Sequence, residues 1–550
     1  MHKLQRIFMY LGLVLVLTFP VLQSFWSSGY FVTHDSAIHI LRIEQFHRSF
    51  SSGQIPVRFA PDLLQGAGYP LFIINYHLPY YLAEIFLQLG FSSIDSYRIL
   101  MSLAYVAYVA FSWIFFSRIS KSSVSAWSGA GIVAVAPYTL ANIFTRGALA
   151  EMIAVSLIPL NFLVVDIYFR QKEKLQIKIW NLLAMSWVFA ALLTAHTLIA
   201  GFILPLVFLY GLIVSKKKIQ SFFNLIFSFF FAICLAAFAL MPAIFERSYF
   251  SFDTRILTVW RGHLLPLFSI LHIPLFHEMM DSPYQVGLVI TLVMSISLLG
   301  YVFFKKTRDA RMLYCMVIFF CSIFLSSVFS TKIWEIFSFS GFIVFPWRLL
   351  NIAIFSAGIA TAIILNLIPK YKIFLAVAIV VLAGYASRHY MRPAPFSGDF
   401  LNTQNQFDTA TTEGEYDPIG MDKRIGKLTI PDVRIIEGKG QISVVKKSVN
   451  STTFYASIQN DALLQINRLY FPGWYGSIDG KSINPNIPTS THPGALNGLI
   501  SFWVAKGEHQ VLIFYSETPL RLIADAISFI SLLISLLLIM LKLRLGAGLK

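Results

Sequence analysis

Carboxylates are scarce in this chain: only 27 of its 550 residues are Asp or Glu, and charged residues of both signs reach 13%. A soluble protein of that length would have to face water with an apolar surface, so the scarcity excludes a water-soluble globular fold. Cysteine is scarcer still. Cys234, Cys315 and Cys321 lie inside apolar runs, which leaves neither a disulfide framework nor a zinc-ligand spacing. No glycine-rich phosphate loop and no D-x-D-type metal pair occurs in the basic connections, which disfavours nucleotide-sugar chemistry on that side. The opening "MHKLQRIFMYLGLVLVLTFPVLQSFW" has a basic start but no small-residue cleavage site. Its apolar stretch is too long for a typical signal peptide, and it reads as a retained first span.

Hydrocarbon fills the chain instead. It is 57% hydrophobic, with a mean hydropathy of +0.68, the composition of a polytopic α-helical membrane protein. A net charge of +16 would suggest a nucleic-acid partner for a soluble chain. Here no nucleic acid is expected, because Lys and Arg accumulate in cytoplasmic loops. A span needs about 20 apolar residues, and runs near 8–26, 99–117, 124–142, 151–169, 180–197, 199–214, 220–242, 285–304, 312–330, 347–367, 373–387 and 519–541 predict twelve. The basic segments "MHKLQR", "SRISK", "RQKEKLQIK", "SKKK", "KKTRDAR", "PKYK" and "KLRLGAGLK" then share one side, the cytoplasm, with both termini. The stretch 71–90 is expected to lie in the outer interface as an amphipathic helix, with Tyr76, Tyr80 and Tyr81 in the aromatic belt.

The pattern changes at 388. Residues 388–517 hold no spanning run but six short alternating segments, "KLTIPDVRII", "QISVVKKSV", "TFYASIQ", "ALLQINRLY", "LISFWV" and "QVLIFYS", separated by "PGW", "DGK" and "KGEH" turns. The expected organisation is a transmembrane domain at 1–387 with a large first outer loop (27–98), an extracytoplasmic β-sandwich at 388–517, and a last span with its tail at 518–550. Within the sandwich, Trp474 is expected in the core, with sugar stacking on an exposed ring as the alternative, and "DGK" at a hairpin turn.

The chemistry-bearing residues then face outward. In "THDSAIHILR" (33–42), Asp35, His39 and Arg42 stand at i, i+4 and i+7 and share a helix face. Charge beside hydrocarbon is costly, so it pairs, snorkels or performs chemistry. Thr33 or Asp35 could cap the helix, and His39 and Arg42 could ion-pair with Asp35. "PDLLQGAGYP" (61–70) is a loop or a flexible clamp that offers Asp62 and Tyr69 to sugar hydroxyls, with Tyr76 and His77 further along the same loop. Arg146 and Glu151 in "TRGALAE" form either a register-fixing ion pair or a phosphate ligand with a second acid. His196 in "LTAHTL" and Arg348 in "FPWRLL" lie at outer span ends, the latter as an interfacial anchor or a phosphate ligand. His263, His272 and His277 match no metal-binding helix spacing.

These motifs, in this order, resemble the GT-C superfamily of integral-membrane glycosyltransferases. Within it they look most like the family named as 6-pyruvoyl-tetrahydropterin-synthase-related membrane proteins, with YfhO-like proteins as cousins. The matching segments are 34–86, 145–160, 193–198, 345–350 and "YFPGWYGSIDGK" (470–481), which spread over most of the chain. The resemblance implies a hexosyl- or pentosyltransferase whose sugar donor rides on a polyprenyl phosphate. It also implies an acid in the first outer loop acting as general base, which by position is Asp35. Many members carry two adjacent acids there, whereas here His34 precedes Asp35 and no second acid follows, so a divalent metal is not expected.

The function that follows is transfer of a sugar from a polyprenyl-phosphate carrier to a glycan, lipid or protein hydroxyl of the cell envelope, on the outer face of a prokaryotic plasma membrane. Asp35, His39 and Glu151 are the catalytic candidates, Arg42, Arg146 and Arg348 the phosphate ligands, and Asp62, Tyr69, Tyr76, His77 and His196 the sugar contacts. The partners are membrane lipid and lipid-linked sugar. The rival readings are a transporter or flippase of lipid-linked saccharides, which needs ionisable residues near mid-membrane, and a non-catalytic scaffold displaying the β-domain.

Overall fold

Backbone N–H and C=O groups cannot stay unpaired in hydrocarbon, so apolar runs become helices. The computed structural model describes residues 2–26, 30–31, 33–170, 175–251, 259–271, 283–337, 345–392, 396–397, 411, 414, 416–483, 492 and 494–547. Among the described residues seven helices are long and apolar enough to cross a membrane: Ser93–Ser120, Leu149–Arg170, Thr197–Val214, Lys218–Leu235, Pro346–Asn366, Pro369–Met391 and Pro519–Leu541. The run near 124–142 is two pieces, Ser123–Ala134 and Pro137–Arg146, bent by 50°. Pro137 opens the second piece, where its missing N–H has no intrahelical partner to lose. The other four runs lie on shorter apolar helices, Leu11–Phe25, Ile179–Ala195, Leu288–Phe303 and Ala310–Ser326. The chain is an integral membrane protein.

The helices that position the site are α1 (His2–Phe25), α2 (Ser36–Ser51), α3 (Leu78–Gln88), α4 (Ser93–Ser120), α5 (Leu149–Arg170), α6 (Thr197–Val214), α7 (Ala310–Ser326), α8 (Leu350–Asn366) and α9 (Pro519–Ala547). The span containing α8 is the centre of the bundle, with 89% of its apolar window buried against 17% for α9 at the edge. Around that centre α4 packs along α5 and α8, and α7 packs on α8.

The 71–90 stretch is two helices, Leu71–Ile74 and α3, broken at Asn75–His77. Tyr80 does not face outward as an interfacial belt residue would. It is fully buried, with Phe46 and Phe72 against its ring at 5.9 and 5.4 Å. Burial of that aromatic surface fixes α3 on α2 and is worth more than its exposure at a headgroup boundary.

The C-terminal region forms a six-stranded antiparallel sheet of β1 (Val433–Lys447), β2 (Ser451–Leu469), β3 (Trp474–Ile478), β4 (Lys481–Ile483), β5 (Leu499–Val504) and β6 (Gly507–Tyr515). The order is β1-β2-β6-β3-β4, with β5 also pairing β2. The first four alternating segments merge in pairs into β1 and β2, because the polar stretches between them are absorbed as register shifts rather than turns. The β3–β4 turn has Asp479 and Gly480 at φ 52° and 79°, the left-handed pair that a two-residue hairpin needs.

The sheet shares its core with the loop of residues 27–98. Phe59 packs on Phe471, Trp474 and Tyr515 at 5.7, 5.8 and 5.0 Å. The Leu469 N–H donates to Ala67 O at 2.8 Å, and β2 is buried throughout this second half while its first half alternates. An ionic seam follows. The fully buried Arg58 reaches Glu517 at 3.1 Å, Asp525 at 2.7 Å and Phe238 O at 2.8 Å. Arg521 meets Glu246 at 2.8 Å.

Candidate active site

The site begins at a glycine. Gly147 has φ +63°, and a Cβ there would collide with Thr33 Oγ1 and stand 2.8 Å from the Tyr97 hydroxyl and 3.0 Å from Ser36 Cβ. Its bare backbone lets the start of α2 lie against the end of the bent span. The His34 N–H donates to Thr145 O at 3.0 Å and the Asp35 N–H to Arg146 O at 2.7 Å. Two distant segments are thereby stitched together, and Asp35 meets Arg146.

Of the two capping candidates, Thr33 does the work: its Oγ1 accepts the Ser36 N–H at 3.1 Å. Asp35 occupies the cap position but its side chain makes no capping bond. Its carboxylate is a third exposed and lies 3.7 Å from Arg146 Nη2. The ion pair expected within α2 is not the one that forms, since Arg42 bonds Tyr80 instead. His39 is buried, with Nδ1 3.4 Å from the Tyr80 hydroxyl. Burial, reinforced by Arg42, Arg146 and His196, holds its pKa well below the usual imidazole range. A neutral His39 cannot be the cation that pairs Asp35.

Glu151, in the first turn of α5, is saturated. Its Oε2 accepts Arg146 Nη1 at 2.5 Å and Arg348 Nε at 3.0 Å. Its Oε1 accepts the Tyr138 hydroxyl at 2.9 Å and Asn351 Nδ2 at 3.0 Å. Four donors fill the acceptor capacity of a carboxylate, so Glu151 has no lone pair left to take a proton. It aligns two arginines instead. Arg146 Nη1 also donates to Asn142 Oδ1 at 2.8 Å, and Asn142 Nδ2 to Asn351 Oδ1 at 3.2 Å. Arg348 spends Nε on Glu151, its side chain stays 15% exposed, and its guanidinium lies over Phe345 at 4.8 Å. Counting Asp35 and Glu151 against Arg42, Arg146 and Arg348, the site carries excess positive charge, which suits an anionic group.

The remaining expected contacts divide. Tyr76 stacks on His196 at 5.1 Å and 22°, and His196 lies within electrostatic reach of Arg348, Glu151 and Arg146. His196 Nδ1 accepts the Ile199 N–H at 3.4 Å, which caps α6. Asp62 is held elsewhere, by Arg48 at 2.7 Å and Gln45 at 3.1 Å. The Tyr69 hydroxyl donates to Asp417 at 2.8 Å. His77 Nε2 bonds Val57 O at 3.2 Å, and burial with Arg58 nearby pushes its pKa down to about 3. His272 and His277 lie outside the described residues, and His263 packs edge-on against Trp347 at 4.6 Å. Among the described residues no group of three His, Cys, Asp or Glu side chains could hold a metal ion.

Sequence reasoning missed Tyr138, Asn142 and Asn351. The two asparagines carried a signal, since an amide inside an apolar run needs a buried partner. Tyr138 carried none.

No protein-family model and no curated protein matches the chain. Solved structures do. The arabinofuranosyltransferase AftD from Mycobacteria is similar at 13% identity and a TM-score of 0.47, over 72% of this chain and 28% of that one. The oligosaccharyltransferase AglB from Archaeoglobus fulgidus, in complex with an inhibitory peptide and a dolichol-phosphate, is similar at 10% identity and a TM-score of 0.43, over 75% of this chain and 61% of that one. ArnT from Cupriavidus metallidurans, bound to undecaprenyl phosphate, is similar at 9% identity and a TM-score of 0.30, over 73% and 91%. The chain thus spans about a quarter of AftD and three-fifths of AglB. At these identities and scores the likeness assigns no role to any residue here.

Proposed function

We propose that the protein is a glycosyltransferase of GT-C type, which moves a sugar from a polyprenyl-phosphate carrier to a hydroxyl acceptor on the outer face of the membrane. The motif order from 34 to 481 supports that class, and the narrower kinship with the pterin-synthase-related and YfhO-like membrane proteins belongs to the same proposal. One observation carries the reading. Asp35 stands at a helix cap without capping, partly exposed, against an arginine that a saturated buried carboxylate holds in place.

The chemistry is balanced by these groups alone. The acceptor O–H gives its proton to the Asp35 carboxylate as its oxygen bonds the anomeric carbon. The bond from that carbon to the phosphate oxygen breaks, and its electron pair leaves with the carrier phosphate. Arg348 and Arg146 receive the phosphate's charge through planar N–H donors. Glu151 and Asn351 orient those arginines, and neutral His39 with Tyr80 walls the base.

Asp35→Asn tests the reading. It keeps the shape of the side chain but cannot accept the proton. Purified protein mixed with a bacterial polyprenyl-lipid extract should lose transfer by roughly a hundredfold or more, since a positioned base contributes about 10²–10⁴. It should still bind undecaprenyl phosphate and unfold at the parental temperature. Parental turnover in this variant removes Asp35 as the base.

A further inference from the structure

Residues 283–286, just ahead of the helix Leu288–Phe303, lie against the site. The Tyr138 N–H donates to Gln285 O at 3.1 Å, and the Val286 N–H to Ile270 O at 3.1 Å, so the backbone around Tyr284 is tied from two sides. The ring is held as firmly. It stacks on Trp347 with centroids 4.4 Å apart and planes at 16°, and Trp347 stacks in turn on Phe345 at 5.0 Å and 23°. On another side stands Tyr138, 6.0 Å away and tilted by 53°, the phenol that donates to Glu151. Because Phe345 also carries the Arg348 guanidinium over its ring, a rigid aromatic ladder runs from Arg348 to Tyr284.

Four charges of the site, Arg146, Asp35, Glu151 and Arg348, act on the Tyr284 hydroxyl. Burial raises its pKa, Arg146 and Arg348 draw it down, and Asp35 and Glu151 push it up. The ring packs on Tyr138, whose hydroxyl donates to Glu151 and accepts from Arg146, so Tyr284 borders the cluster that holds Arg146 against Asp35. On the transferase reading, the anomeric carbon and the acceptor oxygen meet beside that pair. A phenol there remains protonated at neutral pH and can both donate and accept. An aromatic body with one polar tip, fixed by stacking, suits a polyhydroxylated ring better than a phosphate, which the arginines already serve.

Resting on the transferase reading, we infer that Tyr284 is a substrate-contacting residue that holds the transferred sugar, its phenol bonding a sugar hydroxyl while the carrier phosphate lies on Arg348 and Arg146. Trp347 is then a positioning residue that keeps the phenol at that place.

Tyr284→Phe keeps the ring and its stack and removes only the hydroxyl. With the full chain in proteoliposomes and the polyprenyl-phosphate sugars of a bacterial membrane extract, the KM for the consumed lipid-linked sugar should rise by about tenfold, the scale of one lost polar contact. Affinity for sugar-free undecaprenyl phosphate and the unfolding temperature should match the parent. A parental KM in this variant overturns the inference, whether or not the unfolding temperature moves. Trp347→Leu should raise the same KM, and should add little when combined with Tyr284→Phe. A full additive rise would separate Trp347 from the sugar contact and overturn the ladder. Failure of the transferase reading itself is visible earlier and elsewhere: the parent protein would consume no polyprenyl-linked sugar and bind no undecaprenyl phosphate.

Discussion

Helix α5 carries a buried carboxylate at each end, and the two are built almost alike. At one end Glu151 receives Arg146, Arg348 and the Tyr138 hydroxyl. At the other, fully buried Asp166 receives Arg118 at 3.1 Å, Arg170 at 2.7 Å and the Tyr210 hydroxyl at 2.7 Å. An acid with two arginines and a phenol is therefore not in itself a sign of chemistry. At the Asp166 end it clamps α4, α5 and α6 together beside the basic loops. What the Glu151 end adds is a second acid that the cluster does not consume: Asp35, brought in by the glycine at 147 and left uncapped. The clamp holds the arginines, and the spare carboxylate makes the difference between a joint and a site.

Exchange of the acids should break the comparison most sharply. Asp35→Asn removes transfer by about 10²-fold or more and leaves folding alone. Asp166→Asn should do the reverse: it takes the counter-charge from two arginines that are each about a third exposed, lowers stability by about 1–3 kcal/mol through the charge-assisted bonds it loses, and leaves the turnover of each folded molecule unchanged. Activity per folded molecule, with thermal unfolding in detergent, reads both. A catalytic defect in folded Asp166→Asn protein would erase the distinction between the two ends.

The arginines should differ in the same sense at a smaller scale. Arg348→Lys keeps the charge and loses the planar fork, a change on the order of 1–3 kcal/mol for a charge-assisted bond. Undecaprenyl phosphate should bind about tenfold more weakly or worse. Arg170→Lys should leave that affinity untouched. Equal affinities in the two variants would reduce Arg348 to an anchor of the Phe345 ring.

A pH effect of similar size belongs to three buried histidines. His39, His77 and His196 are buried as neutral rings, with folded pKa values depressed below an unfolded value of 6.5, to about 3 for His77 and His196. The unfolded chain therefore takes up protons first as pH falls. Stability is full above about 6.5 and declines below it, by about 1.4 kcal/mol per histidine at pH 5.5. His39→Gln should remove roughly a third of the decline measured by unfolding temperature. A decline identical to the parent's would mean that His39 is already charged in the folded protein.

The smallest perturbation concerns which side the site faces. Single cysteines at Ser52 and Lys506, in a chain without its native cysteines, should react with an impermeant maleimide in intact cells. One at Lys217 should not. All three positions are exposed in the fold, so protection at Ser52 would reverse the orientation of the site.

How much of this was legible follows from what a sequence displays. Asp35, Arg146, Glu151 and Arg348 stood out because charge beside an apolar run has to be explained, and the structure brings all four together. Asp62, Tyr69 and His77 looked equally polar, yet their partners, Arg48, Asp417 and Val57, come from elements that no local spacing connects to them. Tyr138 and Tyr284 were silent for the opposite reason: a tyrosine in an apolar stretch is ordinary, and only its neighbours in space give it a role. The strands of the outer sheet were visible through alternation, but their merging was not, since a bulge and a turn look alike where glycine and charged residues interrupt the pattern.

The ionic seam has a consequence in time. Arg58 is made early, and the Asp525 carboxylate that neutralises it follows 467 residues later. At ordinary synthesis rates of about 5–20 residues per second, that interval is roughly 25–90 s. Phe59 stays without its aromatic cover until Phe471, Trp474 and Tyr515 are made, and the Arg58 guanidinium without a carboxylate until Glu517 follows them. The sheet covers Phe59 first, and the last helix completes the ionic seam. A ribosome stalled just before Glu517 leaves a chain with every earlier span made and Arg58 still without either of its carboxylates.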